Sequence, residues 1–143
     1  MKEFLSNSYE ETLSVARDFA SQLPKGACVA LYGGLGVGKT AFTTGLAQGL
    51  GIKCDVYSPT FALVNEYHGD ENTLYHFDMY RVDGWDDLYS TGFFDYLDTD
   101  AFLCIEWSEN IDGALNDDTY CVEIERIDDE KRKIKMWKRG ETE

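Results

Sequence analysis

A mixed α/β fold is what the sequence predicts, on three observations. The apolar run Ala27-Cys28-Val29-Ala30-Leu31-Tyr32 has strand length and passes directly into the glycine-rich stretch Gly33 to Thr40, after which Ala41, Phe42, Gly45, Leu46 and Leu50 recur at helical spacing. Ala101-Phe102-Leu103-Cys104-Ile105 is a second fully apolar run, the pattern of a strand buried on both faces. Two pairs of strand-like runs, Phe61 to Tyr67 with Leu74 to Tyr80 and Thr119 to Ile127 with Arg132 to Lys138, read as antiparallel hairpins. Parallel core strands with antiparallel additions, in one domain spanning residues 1–143, follow from these patterns.

In chain order, Ser8 is placed to cap a helix whose apolar stripe is Leu13, Ala16, Phe19, Ala20 and Leu23, ending at Pro24-Lys25-Gly26. The strand 27–32 comes next. The loop behind it, Gly33-Gly34-Leu35-Gly36-Val37-Gly38-Lys39-Thr40, fits G-x-x-x-x-G-K-[ST]. A polyphosphate needs several backbone N–H groups converging on one concavity, and a Cβ at most of these positions would block that curvature. Lys39 supplies a mobile charge for the β- and γ-phosphates, Thr40 a hydroxyl for Mg²⁺, and the helix N-terminus adds its partial charge. These positions make the expected fold a P-loop NTPase-like, three-layer one, with a polyphosphate and Mg²⁺ expected at the loop. Gly49 and Gly51 read as stop signals for the helix that follows.

Beyond that helix, Asp55 to Thr60 reads as a loop, because Pro59 keeps Ser58 out of helix and has no N–H for a ladder; it is a candidate switch segment. His68 to Thr73 connects the first hairpin. The segment Asp86 to Leu97 predicts one or two short helices about Gly92. Asp128 to Lys131 turns the terminal hairpin, whose lysines and arginines are expected to form a basic edge.

Composition narrows the function. With 143 residues and 43% hydrophobic content, the chain is long enough to bury about two-thirds of its unfolded surface in one core. No apolar stretch has signal-peptide or membrane-span length, so a cytoplasmic location without membrane contact is expected. Cys28, Cys54, Cys104 and Cys121 occur singly and read as buried thiols. A net charge of −14 argues against tight binding to a nucleic-acid backbone. Between Asp70 and Asp118 fourteen acids face Arg81 alone, which reads either as a solvated face or as a docking face for a basic protein.

A phosphate loop needs a carboxylate on a second strand to hold Mg²⁺ or its waters. Two compete: Glu106 ends the more apolar strand and is favoured for the metal, beside Thr40, leaving Asp78 to orient or deprotonate a water. His76, on the strand with Asp78, reads as a packed or hydrogen-bonded core histidine, and Trp107 as a partner or nucleotide contact or, as is usual for a large aromatic beside an apolar strand, a core residue. Arg81 either stabilises transferring phosphate charge or pairs with a neighbouring carboxylate, the surplus of acids nearby favouring the pair, and Thr60 either senses nucleotide or closes a turn.

Taken together, Gly33 to Thr40, Ser58-Pro59-Thr60-Phe61, His76-Phe77-Asp78-Met79-Tyr80-Arg81, Gly92-Phe93-Phe94-Asp95-Tyr96 and Glu106-Trp107 resemble, in order, the motifs of the bacterial TsaE proteins. The resemblance covers most of the chain. It implies an ATPase of tRNA threonylcarbamoyladenosine (t6A37) biosynthesis, with ATP or ADP as the bound polyphosphate and Mg²⁺ held by the positions of Thr40 and Glu106. It further implies weak hydrolysis alone, activity on a TsaD–TsaB complex, and only indirect contact with tRNA. Gly34 departs from the family pattern, which has Asp there, so a side-chain contact near the nucleotide is missing. Two rivals share the loop. A small-molecule kinase commonly has an Arg-rich closing lid, and no Arg-dense insertion is present; an assembly module that holds ADP or ATP without turnover fits Gly34 and the acidic face.

Overall fold

The computed structural model describes residues 2–33, 38–53, 56, 64–79, 82–97 and 99–141. Its elements run β1 (Lys2–Ser6), α1 (Tyr9–Ser21), β2 (Cys28–Tyr32), α2 (Lys39–Gly49), β3 (Val64–His68), β4 (Thr73–Asp78), α3 (Trp85–Ser90), α4 (Phe93–Leu97), β5 (Phe102–Glu106), a 3-10 helix (Ser108–Ala114), β6 (Tyr120–Arg126) and β7 (Arg132–Lys138). The strands form one sheet in the order β1-β7-β6-β2-β5-β4-β3. β2 is parallel to both β5 and β6, and β4 is parallel to β5; β3, β7 and β1 pair antiparallel at the two sides.

Side-chain alternation divides the core into two layers. Val29, Leu31, Cys104 and Val122 face α1 and α2, joining Ala16, Ala20, Phe42 and Leu46. Ala30, Leu103 and Ile105 point the other way, to Phe77, Leu88, Phe93 and Ile111. Helices therefore cover both faces of a sheet whose central strands are apolar throughout, the three-layer arrangement expected.

Most expected elements are present with shifted ends. Ser8 caps α1, its hydroxyl accepting from the Glu11 N–H at 3.1 Å, but the helix stops at Ser21 rather than at Pro24. β4 ends at Asp78, two residues before the expected Tyr80, and Tyr80 itself lies outside the described residues, as do the first three residues expected in β3. The first hairpin turns where the Gly69 N–H donates to the Asn72 carbonyl at 2.7 Å. The short helices α3 and α4 flank Gly92 as expected, Gly92 taking φ +77°.

One expectation is corrected. The terminal hairpin is not an edge: β1 pairs with β7 along its length and Lys133 bridges to Glu3 at 2.9 Å. Lys138 and Arg139 are likewise paired, to Asp118 and Asp112 at 3.6 and 2.7 Å. Gly49 is a packing residue as well as the last of α2, and Gly51, at φ +78°, is the left-handed residue after the helix. A Cβ on Gly45 would lie 2.6 Å from the Leu13 carbonyl oxygen and 2.7 Å from the Ala16 Cβ, and one on Gly49 would lie 2.6 Å from the Ala20 Cβ. α1 and α2 thus touch backbone to backbone, which sets where α2 and the loop before it sit on the sheet. Gly45→Ala is expected to lower stability by about 1–3 kcal/mol in thermal unfolding through overpacking. Helix propensity alone would raise it by about 1 kcal/mol, so a raised midpoint would contradict this contact.

Candidate nucleotide site

The parallel strands deliver the candidate residues to one end of the sheet. β2 ends at Tyr32, Gly33 follows with φ +138°, and α2 begins at Lys39 after Gly38, whose φ of +107° strains any side chain. Gly34, Leu35, Gly36 and Val37, expected to cradle phosphate, lie outside the described residues, as do Thr60 with its Ser58-Pro59-Thr60-Phe61 segment, and Arg81.

Lys39 is only 6% exposed. Its ammonium donates back to the Gly33 carbonyl at 3.0 Å and stands 4.7 Å from the centre of the Trp107 ring, so charge and cation–π attraction hold it across the mouth of the loop. Thr40 lies in the first turn of α2, half-buried. Trp107 follows β5 at φ +59°, ψ +41°, the one non-glycine left-handed residue among those described, at a cost of about 1–2 kcal/mol. It also packs on the second core layer, as expected of a core aromatic.

Asp78 and Glu106 are register partners at the ends of adjacent parallel strands. Glu106 is 5% exposed and Asp78 half-buried. By alternation Glu106 shares a face with Cys104, whose sulfur lies 3.5 Å from the Thr43 hydroxyl on α2, so this carboxylate is on the side of the sheet that carries α2. His76 is fully buried, and its Nε2 lies 2.7 Å from Glu106 Oε2. An ionised carboxylate only accepts, so Nε2 donates, and Nδ1 is a buried nitrogen without a hydrogen-bond partner. The expected hydrogen-bonded core histidine is thus also the group that orients Glu106. Its position two residues before Asp78 on one strand puts both side chains on one face, but nothing in the sequence signals its contact with Glu106.

Removing the carboxylate would leave both His76 nitrogens unpaired in the interior. Glu106→Ala is therefore expected to lower stability by about 1–3 kcal/mol, whereas Glu106→Gln, which keeps an acceptor for Nε2, loses much less. Equal thermal midpoints for the two variants would contradict the pairing.

Sequence reasoning also missed Arg132, whose Nε lies 3.6 Å from where a Gly38 Cβ would stand. Beside it a cleft lined by Tyr9, Thr12, Gly38, Ala41, Arg132 and the acids Asp129 and Glu130 opens along the start of α2. The described thiols are buried or half-buried, as expected, while Cys54 lies outside the described residues. Burial pushes the Cys28 thiol up to about 12, and it raises Cys104 and Cys121 as well, which keeps all three protonated at neutral pH. Among the described residues no helix is long and apolar enough to cross a membrane.

The donor set suits Mg²⁺. Two carboxylates and a hydroxyl are hard oxygen ligands, and among the described residues no three His, Cys, Asp or Glu side chains converge into a closed cage. Mg²⁺ is characteristically held in that way, by one or two carboxylates with waters and phosphate oxygens supplying the rest.

A central parallel strand followed in the chain by a helix that begins at Lys39, with carboxylates ending β5 and β4 beside it and helices on both faces, defines a P-loop NTPase-like fold. The family profile described as "Threonylcarbamoyl adenosine biosynthesis protein TsaE" matches residues 6–134. The chain is 43% identical over 105 residues to the tRNA threonylcarbamoyladenosine biosynthesis protein TsaE of Haemophilus influenzae, covering 73% of this chain and 66% of that protein. It is 36% identical to the TsaE of Aquifex aeolicus, covering 97% of this chain and 98% of that one. The crystal structure of Bacillus subtilis YdiB superposes with a TM-score of 0.76 at 32% identity, covering 93% of this chain and 82% of that one. The chain belongs to the TsaE family.

Proposed function

We propose that the protein is an Mg²⁺-dependent ATPase of tRNA threonylcarbamoyladenosine (t6A37) modification, acting on a TsaD–TsaB complex, with tRNA contacted only indirectly. The observation that carries the ATPase reading is the convergence of a buried Lys39 ammonium, held beside Trp107, with the register pair Asp78 and Glu106. Ligands of open α/β sheets bind at the carboxyl ends of the parallel strands, where these groups stand. The pathway and partners rest on family membership, and the names of the relatives carry the pathway.

In this reading Lys39 exchanges the Gly33 carbonyl for phosphate oxygens when nucleotide enters, at little cost because its ammonium is already desolvated and positioned. Glycine N–H groups of the 33–40 stretch bind the phosphates, and the cleft beside Arg132 takes the nucleoside end. Thr40 and Glu106 would hold Mg²⁺, which would supply positive charge against the negative charge that develops as the terminal phosphoryl leaves. His76 fixes the rotamer of Glu106. Asp78 orients the attacking water and takes its proton, so that ATP and water become ADP and phosphate. Glu106→Gln keeps the His76 contact and removes one negative charge, so ADP titrated calorimetrically at rising Mg²⁺ should need a clearly higher metal concentration than wild type. An unchanged Mg²⁺ requirement would remove Glu106 from the metal site.

A second reading, a nucleotide-dependent assembly module with negligible turnover, is favoured by Gly34 in place of the family Asp. Measured phosphate release separates the two.

A further inference from the structure

The face opposite α1 and α2 carries a contiguous aromatic surface that the nucleotide site does not use. Trp85 and Tyr89 of α3 are 53% and 65% exposed. Trp85 stacks on Phe94 of α4 with an interplanar angle of 11°, and Tyr89 meets Phe94 with ring centres 5.1 Å apart. Single exposed aromatics are ordinary; three in mutual contact, two of them more than half exposed, form an apolar ledge. A cleft beside the ledge, between α3 and the 3-10 helix, is lined by Trp85, Leu88, Asn110, Ile111 and Ala114. Exposed Asp83, Asp86, Asp87 and Asp95 stand around it in sequence. Asp87 has a local task, accepting from the Asp83 N–H at 3.0 Å, whereas among the described residues no such contact is made by the Asp83 and Asp86 carboxylates.

The cleft is also mechanically tied to both candidate catalytic carboxylates. α3 continues from the strand that ends at Asp78, and the 3-10 helix from the strand that ends at Glu106. The two connections are bolted together: the Met79 N–H donates to the Glu106 carbonyl at 3.0 Å, and the Asn110 side chain, which lines the cleft, donates to the Met79 carbonyl at 2.9 Å. A partner seated between α3 and the 3-10 helix therefore presses on the segments that position Asp78 and Glu106.

We infer that this ledge and cleft are the docking site of a basic partner segment, one that places an apolar anchor in the cleft and lysine or arginine side chains over the aromatic rings and their acidic rim. Aromatic ledges of this size are where interface energy concentrates, and cations bind over exposed rings. Charge selects the occupant. Between Asp70 and Asp118 the sequence sets against Arg81 fourteen acids, of which Asp112 and Asp118 are paired to Arg139 and Lys138, and a second copy of a chain carrying −14 would meet its own charge across the contact. The inference deepens the reading of a partner-dependent ATPase and rests on it.

The test is calorimetric titration of the cognate TsaD–TsaB complex with the full chain, in four forms. These are wild type, Trp85→Ala with Tyr89→Ala, Asp83→Lys with Asp86→Lys, and a control, Glu10→Lys with Asp18→Lys, that makes the same charge change at exposed sites on α1. Fluorescent-ADP affinity, expected to be unchanged in all four, establishes that each is folded with an intact nucleotide site. The expected result is a loss of about thirtyfold or more in partner affinity for both patch variants, with the control within about threefold of wild type. Wild-type affinity in both patch variants would overturn the assignment of the surface while leaving the partner reading standing. No binding by wild type would overturn the partner reading, and the docking site with it. Self-association of wild type in sedimentation, abolished by Trp85→Ala with Tyr89→Ala, would replace the basic partner with a second copy.

Discussion

Lys39→Ala is expected to weaken ATP and ADP binding by at least about a hundredfold in calorimetry. The size follows from what the ammonium does. Hydrogen bonds to charged groups contribute about 1.5–3 kcal/mol each, and two phosphate contacts would together exceed about 3 kcal/mol, which is more than a hundredfold. The environment favours the upper part of that range, since the ammonium is held in a buried corner against the Trp107 ring, where few waters can screen it. Alanine leaves no buried charge behind, so the fold should survive; its cost is confined to the Gly33 carbonyl, which loses a donor. Wild-type nucleotide affinity in this variant would contradict the assignment of the 33–40 stretch to phosphate.

Asp78→Asn is expected to slow ATP hydrolysis by about a hundredfold or more while leaving nucleotide affinity nearly unchanged. A positioned base contributes about 10²–10⁴ to such reactions, and the amide keeps the shape and loses the proton acceptor. The split between rate and affinity is the informative part, because Asp78 and Glu106 are register neighbours and either could serve the metal. Glu106 is held by His76 at 2.7 Å and nearly fully buried, which fits a fixed ligand, while Asp78 is half-buried, which fits contact with a water. Parallel losses of affinity and rate in Asp78→Asn would exchange the two roles. Unchanged turnover would remove Asp78 from the reaction.

The local elements were legible in the sequence wherever one pattern dominated. The apolar runs at 28–32 and 102–106 became central strands, Ser8 became a helix cap, and the alternating C-terminal runs paired as a hairpin. Strand β1 was hidden because four of its five residues are exposed, so no buried periodicity marks it, and only β7 beside it makes it a strand. The placement of β7 inside the sheet was hidden with it. Gly45 and Gly49 looked like ordinary helix glycines, since close approach of two helices depends on where α1 lies in space.

For the site, the chain order of Lys39, Thr40, Asp78 and Glu106 was readable, but their mutual positions were not. Parallel pairing of β4 with β5 sets Asp78 beside Glu106, and that is a property of strand order. The His76 contact to Glu106 joins residues thirty apart. The contact of Trp107 with Lys39 depends on a left-handed backbone that tryptophan rarely adopts and that no local pattern announces.

The most direct measurement is phosphate release from Mg-ATP by the purified chain, alone and mixed with its cognate TsaD–TsaB complex, with Lys39→Ala as the background. The account predicts slow release alone, a large rise in the mixture, and neither in the variant. ATP bound tightly by wild type with no release above the Lys39→Ala background, alone or mixed, would contradict it and leave a nucleotide-dependent assembly module in its place.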